Sequence, residues 1–152
     1  MRLRGFEFIT SYKNSNLLLP SRKTQYSAGY DIAAAESITL LPSTTTLIPT
    51  GLKAYMLHDE YLGIHIRSGL SIKNNLSLIN SQGIIDADYY NNTDNEGHIM
   101  IAIYNHNMQE ILIDKGTRIA QGIFYKYLLT DTDESTPVVT RTGGFGSTDR
   151  EK

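Results

Sequence analysis

Apolar and polar residues alternate along this chain with a period of two, and Gly, Pro, Asn or Asp breaks the alternation roughly every 8 to 12 residues. Leu62, Ile64 and Ile66 alternate with Tyr61, His65 and Arg67, and Ile99, Ile101 and Ile103 alternate with Met100, Ala102 and Tyr104. Successive side chains of a strand point to opposite faces, so each run predicts a strand with one face buried. Phe6 to Ile9, Ser37 to Leu41, Thr45 to Ile48, Leu52 to Leu57, Ile111 to Ile113 and Ile119 to Tyr127 read the same way. Only Ser68 to Asn74 has the pattern of a short helix. That many strands with one helix predicts an all-β barrel or sandwich, and no internal repeat interrupts it.

With 152 residues the chain is long enough for one domain with a real core. Residues 1–129 are expected to form it, and 130–152 a flexible arm, because Thr130 to Pro137 is polar and leads into a glycine-rich stretch. The 14 basic and 16 acidic residues give a formal charge of −2, which leaves no broad electropositive field and argues against nucleic-acid binding. The absence of cysteine excludes disulfides, thiolate chemistry and cysteine-ligated zinc. No long apolar run suggests a membrane segment, so a cytoplasmic location is the default. His58, His65, His98 and His106 lack metal-ligand spacing and read as surface or turn residues.

Four clusters carry chemistry. In the stretch from Asn80 to Tyr89, a hairpin edge brings together an amide, a glycine turn, the carboxylates Asp86 and Asp88, and an aromatic ring, with Ile84 and Ile85 leading straight into Asp86. That set suits a polar planar ligand with an acid beside it, and it equally suits a plain hairpin whose Asn and Asp form the turn. Arg67-Ser68-Gly69 before the helix offers a guanidinium, a hydroxyl and helix-start amides to an anion, although serine is also a common helix cap. The stretch Gly116 to Gln121 puts a polar Gln at an otherwise apolar position, as a ligand contact or as a satisfied core amide. In Gly143-Gly-Phe145-Gly146-Ser147-Thr148, glycines let the backbone approach a ligand, a ring can lie over a base, and Arg141, Ser147 and Thr148 supply donors for phosphate. A disordered glycine-rich tail has the same composition.

Together with Ala28-Gly29-Tyr30-Asp31-Ile32, these clusters stand in an order and spacing that resembles the five motifs of the trimeric deoxyuridine triphosphatase (dUTPase) family, across residues 28–148. The resemblance implies a jelly-roll-like β fold and a homotrimer with active sites at subunit interfaces, each capped by a C-terminal arm from a neighbour. It implies hydrolysis of dUTP to dUMP and pyrophosphate. Asp86 is then the base that takes a proton from the water attacking the α-phosphorus. Asn80 reads uracil with main-chain groups of the same hairpin, at Gly83 and Ile85, while Tyr89 packs under the deoxyribose and Phe145 stacks on the base. Arg67, Ser68, Gly69 and Gln121 hold the triphosphate, helped from the arm by Arg141, Gly146, Ser147 and Thr148. Mg²⁺ is carried by phosphate oxygens and water, with Asp31 acting through water.

The chain departs from the family pattern in three places. Tyr89 is followed by the polar stretch Tyr90 to Gly97, read as a longer hairpin, where the family turns directly into the next strand. Arg141 stands four positions before Phe145 and not five, and Asp149 follows Ser147-Thr148 where a glycine is usual. Two other readings stay open: a dCTP deaminase of the same fold, which needs a glutamate that is absent between Glu60 and Glu96, and a nucleotide-gated trimer that holds a regulatory protein partner.

Overall fold

A computed structural model describes residues 1–133, 141, 143 and 144. Among them are eleven strands: β1 (Gly5–Phe8), β2 (Tyr30–Ala33), β3 (Ile38–Leu40), β4 (Thr45–Pro49), β5 (Leu52–Tyr55), β6 (Glu60–Ile66), β7 (Leu76–Leu78), β8 (Gly83–Asp86), β9 (Met100–Asn105), β10 (Ile111–Ile113) and β11 (Arg118–Lys126). The single α-helix, α1, spans Ser68–Asn74, and short 3-10 turns cover Thr10–Tyr12 and Ala87–Tyr89. The fold is the expected all-β one, and the helix lies where its pattern puts it. No helix among the described residues is long and apolar enough to cross a membrane.

All strand pairings are antiparallel. A four-stranded sheet runs β2-β11-β6-β8, a three-stranded sheet runs β4-β9-β7, and β1-β5 and β3-β10 form two further pairs. Leu62 and Ile64 of β6, Ile101 and Ile103 of β9, Ile48 of β4 and Ile32 of β2 are all buried and belong to one core cluster. Their polar neighbours Tyr61, His65 and Tyr104 are half-buried, so the period-2 alternation does sort the faces. Gln121 falls on the outward side of β11, half-buried between Ala120 and Gly122, both buried. The core-amide reading of that residue is thereby removed.

Two expectations about hairpins fail for the same reason. Strand β7, before Asn80, pairs with β9, whereas β8 pairs with β6, so the stretch from Asn80 to Tyr89 crosses from one sheet to the other. The stretch from Tyr90 to Gly97 leaves β8 through the 3-10 turn and enters β9, which pairs with β4 and β7 and not with β8. It is a loop closed by its own side chains. Of the histidines, His58 and His106 are exposed as expected. His65 instead lies in β6, its Nε2 within 3.1 Å of the Tyr125 hydroxyl and 3.2 Å of Gln82 Nε2. His98 is a structural tie.

The Nε2 of His98 accepts the Gly51 N–H at 2.9 Å, its carbonyl accepts the Tyr89 hydroxyl at 2.8 Å, and its ring packs against Tyr12 with centroids 5.6 Å apart. An imidazole that accepts at Nε2 must be neutral, with its proton on Nδ1. Burial accordingly holds His98 below its ordinary value of 6.5, against the opposing pull of Glu36 and Glu96. The unfolded chain therefore takes up the proton first as pH falls, so this contribution is complete above about pH 6.5 and is lost as pH drops through the lowered folded value. The melting temperature should fall as pH is lowered across that window. In His98→Gln, whose side-chain oxygen can still accept the Gly51 N–H, that part of the slope should vanish, and superimposable pH profiles for the two proteins would assign the slope to other groups.

Candidate active site

Strand β8 is an edge strand, bonded to β6 on one side only, so main-chain groups on its other side are available to a ligand. Beside that edge lies a cavity of about 170 Å³ lined by Asn80, Gly83, Ile84, Ile85, Asp86 and Tyr89, with Leu78, Met100, Ile101 and Arg141 completing the wall. Gly83 and Ile85 pair with Ile64 and Leu62 and so share their core-facing side, whereas Asp86 pairs with Tyr61 and points to the outer side. The strand thus delivers an apolar floor and a carboxylate at the mouth. Asn80 is exposed, and its side-chain amide has no hydrogen-bond partner among the described residues, which leaves its donors and acceptor for a ligand.

Tyr89 is buried at the end of the 3-10 turn, and its ring lines the cavity. Its hydroxyl donates to the His98 carbonyl and accepts from Asn95 Nδ2 at 2.9 Å. Tyr90 points elsewhere: its hydroxyl donates to Glu7 at 2.6 Å, and its ring sits 6.0 Å from that of Tyr55.

The Arg141 guanidinium spans the two carboxylates of this stretch, with Nη2 2.8 Å from Asp86 Oδ2 and Nε 2.9 Å from Asp88 Oδ1, and it lies 5.8 Å from the Tyr89 ring centroid. The carboxylates are about half exposed while the arginine side chain is well covered. The arm residue therefore lies on Asp86 of its own chain. A wider opening of about 480 Å³ adjoins the pair, bounded by Met56, His58, Ala87 and Tyr127. Among the described residues lining the two cavities, Arg141 is the single arginine or lysine.

The other candidate residues form a separate group. Asp31 lies opposite Gln121, and Gln121 opposite His65, in one row across β2, β11 and β6. Both oxygens of Asp31 are engaged: Oδ1 is 3.2 Å from Arg67 Nε, and Oδ2 accepts Arg118 at 3.0 Å. Ser68 and Gly69 are exposed at the start of α1, and nothing approaches the Gly69 Cα within the space a side chain would fill. A contact of Asp31 with metal-bound water would have to share a carboxylate that already holds two arginines, so its direct task is to hold Arg67.

Asp86 and Arg67 do not meet within one chain. Tyr61 is the partner of Asp86, and Arg67 follows the opposite end of the same strand, which puts the residues about 20 Å apart at roughly 3.3 Å per residue. Phe145, Gly146, Ser147 and Thr148 lie outside the described residues, so their expected contacts have no structural counterpart here.

The sequence reading missed the closure of the 90–97 loop by Asn92 and Asn95, and the role of Asp88 as the second clamp on Arg141. The spacing Asn92-x-x-Asn95-x-Gly97 is a usable signal for the first, since asparagine side chains cap nearby backbone amides. Nothing in the sequence pairs residue 141 with residue 88. No group of three or more His, Cys, Asp or Glu that could hold a metal ion occurs among the described residues.

The dUTPase family model matches residues 15–149 of this chain. The chain is 51% identical over 148 residues to the deoxyuridine 5′-triphosphate nucleotidohydrolase of Lactococcus lactis, covering 97% of this chain and 99% of the relative. The crystal structure of dUTPase from Streptococcus mutans superposes with a TM-score of 0.80 at 46% identity, covering 84% of this chain and 98% of that one. A dUTPase from phage phi11 of S. aureus, described with a structural Mg(II) ion, shares the fold at 21% identity and a TM-score of 0.71, over 86% of this chain and 94% of that one. With motifs, strand order and relatives in agreement over nearly its whole length, this chain belongs to the dUTPase family.

Proposed function

We propose that this protein hydrolyses dUTP to dUMP and pyrophosphate, with Asp86 as the general base. The observation that carries the reading is the cavity at the β8 edge, where a partnerless Asn80 amide, the Asp86 carboxylate and the Tyr89 ring converge. A uracil edge presents one donor between two acceptors. An amide and the exposed main-chain groups at Gly83 and Ile85 can match that pattern, whereas cytosine would leave buried polar groups unpaired. Tyr89, fixed by two hydrogen bonds, stands where a 2′-hydroxyl would need room. The apolar floor holds the base and sugar so that the α-phosphorus lies near Asp86 at the rim. The carboxylate then takes the proton as water attacks in line, which asks the protein mainly for position and charge neutralisation.

The phosphate chain needs cations, and among the described residues lining the β8 end Arg141 is the one arginine or lysine. We assign Arg67, Ser68, Gly69 and Gln121 to the triphosphate. At about 20 Å from Asp86 they can reach it only from another copy of the chain, because a triphosphate is much shorter than that gap. This separation supports a homotrimer with sites shared between subunits. Arg141 has its partners Asp86 and Asp88 within its own chain. In the reading, residues 130–152 act as a flexible arm that closes the site, with Phe145 stacked on uracil.

Mg²⁺ fits this donor set as an ion held by the phosphates and water and not by a protein cage, since the Asp31 carboxylate is already shared by two arginines. Bound there, it would neutralise developing charge on the phosphate oxygens. The deaminase reading lacks its glutamate: the cavity lining contains none among the described residues. A cytoplasmic location follows from the nucleotide substrate.

Pyrophosphate release from dUTP, measured beside dCTP, dTTP and UTP, tests the reading, and a preference for dCTP or the absence of turnover would overturn it. Asp86→Asn should bind nucleotide but lose two or more orders of magnitude in kcat, because an amide cannot accept the proton, while Asp88 still holds Arg141. Near-normal turnover would remove Asp86 from the role of base. For the shared site, Asp86→Asn and Arg67→Ala subunits should each be inactive alone and regain turnover when unfolded and refolded together, since some sites then combine an intact Asp86 with an intact Arg67. A fully active monomer by light scattering would end that model.

A further inference from the structure

The loop of residues 91–97 is closed by backbone hydrogen bonds such as Asn91 N–H to the Glu96 carbonyl at 3.0 Å and by the side chains of Asn92 and Asn95. Asn92 is buried, and its Oδ1 accepts the backbone N–H groups of Asp94 at 3.0 Å and Asn95 at 3.1 Å. Its Nδ2 donates to the Tyr89 carbonyl at 2.8 Å and to Asn95 Oδ1 at 2.9 Å. Asn95 Oδ1 also accepts the Gly97 N–H at 3.0 Å. Gly97 has φ +86, and a side chain there would start 2.7 Å from the Tyr89 carbonyl, so the loop can return this tightly only with glycine. Outside the loop, Glu96 accepts the backbone and side chain of Thr10, and Lys53 donates to Asn91 at 2.6 Å.

This closure aims one group in particular. Two donors fix the oxygen of the Asn95 amide, so the network decides which end is nitrogen, and that nitrogen points at the Tyr89 hydroxyl. The hydroxyl in turn spends its proton on the His98 carbonyl. With both its donor and its acceptor engaged, the ring cannot tilt without breaking a hydrogen bond. The same amide lies beside Gly144. A methyl at Gly144 would lie 3.0 Å from Asn95 Nδ2 and 3.2 Å from its Oδ1, and the Gly144 N–H donates to Asp94 Oδ2 at 3.2 Å.

We propose that Asn95 is a positioning residue for sugar selection: it pins the Tyr89 ring through the hydroxyl, so that the 91–97 loop sets how firmly the ring resists a ribonucleotide. This rests on the dUTP reading. Loss of the Asn95 donor frees the ring to yield to a 2′-hydroxyl.

The test is a steady-state comparison of kcat/KM for UTP and dUTP. Asn95→Ala should raise the UTP-to-dUTP ratio by about three- to tenfold, the worth of one hydrogen bond. In a Tyr89→Phe background, which lacks the hydroxyl, the same substitution should leave the ratio unchanged, because the effect runs through that atom. Asn95→Asp keeps the acceptors for Asn92 and Gly97 but has no donor, and it should move the ratio in the same direction if Asn95→Ala does not fold. An unmoved ratio in folded Asn95 variants, or an equal shift with and without the Tyr89 hydroxyl, overturns the positioning role. Absence of dUTP turnover in the unsubstituted protein overturns the functional reading itself, which keeps the two failures apart.

Discussion

The antiparallel register of β6 is the constraint on which the rest of this molecule depends. The strand lies between β8 and β11, with Tyr61 opposite both Asp86 and Tyr125, and His65 opposite Gln121. Because strands are stiff and rise about 3.3 Å per residue, this register fixes Asp86 and Arg67 toward opposite ends of one sheet. If both serve one site, as proposed, they do so from different copies of the chain, and exposed apolar side chains, among them Leu18, Ile72, Ile84, Met108 and Leu112, offer surface that another copy can cover.

Each end of the sheet keeps its charges oriented by internal ion pairs. Asp31 holds Arg67 and Arg118 at one end, and Asp86 with Asp88 holds Arg141 at the other. A guanidinium bonded through one or two of its nitrogens still presents the remaining donors, so such pairing restricts the side chain without using it up. Preorganisation of this kind lowers the entropy that binding a phosphate would otherwise cost. At the β8 end the arrangement has a second consequence: Arg141 occupies Oδ2 of Asp86, so on the proposed mechanism the proton would go to the other oxygen unless the arginine moved away.

Much of this was legible in the sequence, and the boundary of legibility has physical causes. Strands such as β6 and β9 alternate over six or seven residues, which is long enough for the period to stand out, and α1 was bounded correctly. Strand β2 and the three-residue β7 were not anticipated, because so short a run carries little period. The supposed hairpins around Asn80 and Tyr90 failed because turn residues report that the chain turns and not which strand it joins next. Asn80, Gly83, Ile85, Asp86 and Tyr89 do converge as expected, since a few residues of one edge strand and its flanks cannot separate far. Arg67, Ser68, Gly69 and Gln121 were identified as a group, yet their distance from Asp86 is a property of register, which no motif spells out.

The 91–97 loop shows how a departure from a family pattern can be read physically. As sequence it is a polar insertion that weakens the match just after Tyr89. In three dimensions its asparagines satisfy one another and the backbone, and they leave a single amide directed at the Tyr89 hydroxyl. A buried phenol needs partners for its hydroxyl, and in a chain that turns directly into the next strand they would have to come from elsewhere. Here His98, at the point where the loop rejoins β9, supplies the acceptor, and its own ring is locked to Gly51. The orientation of the Tyr89 ring is thus tied through His98 to the packing of β5 against the start of β9, so the insertion belongs to the same rigid unit as the core and is not a decoration on it.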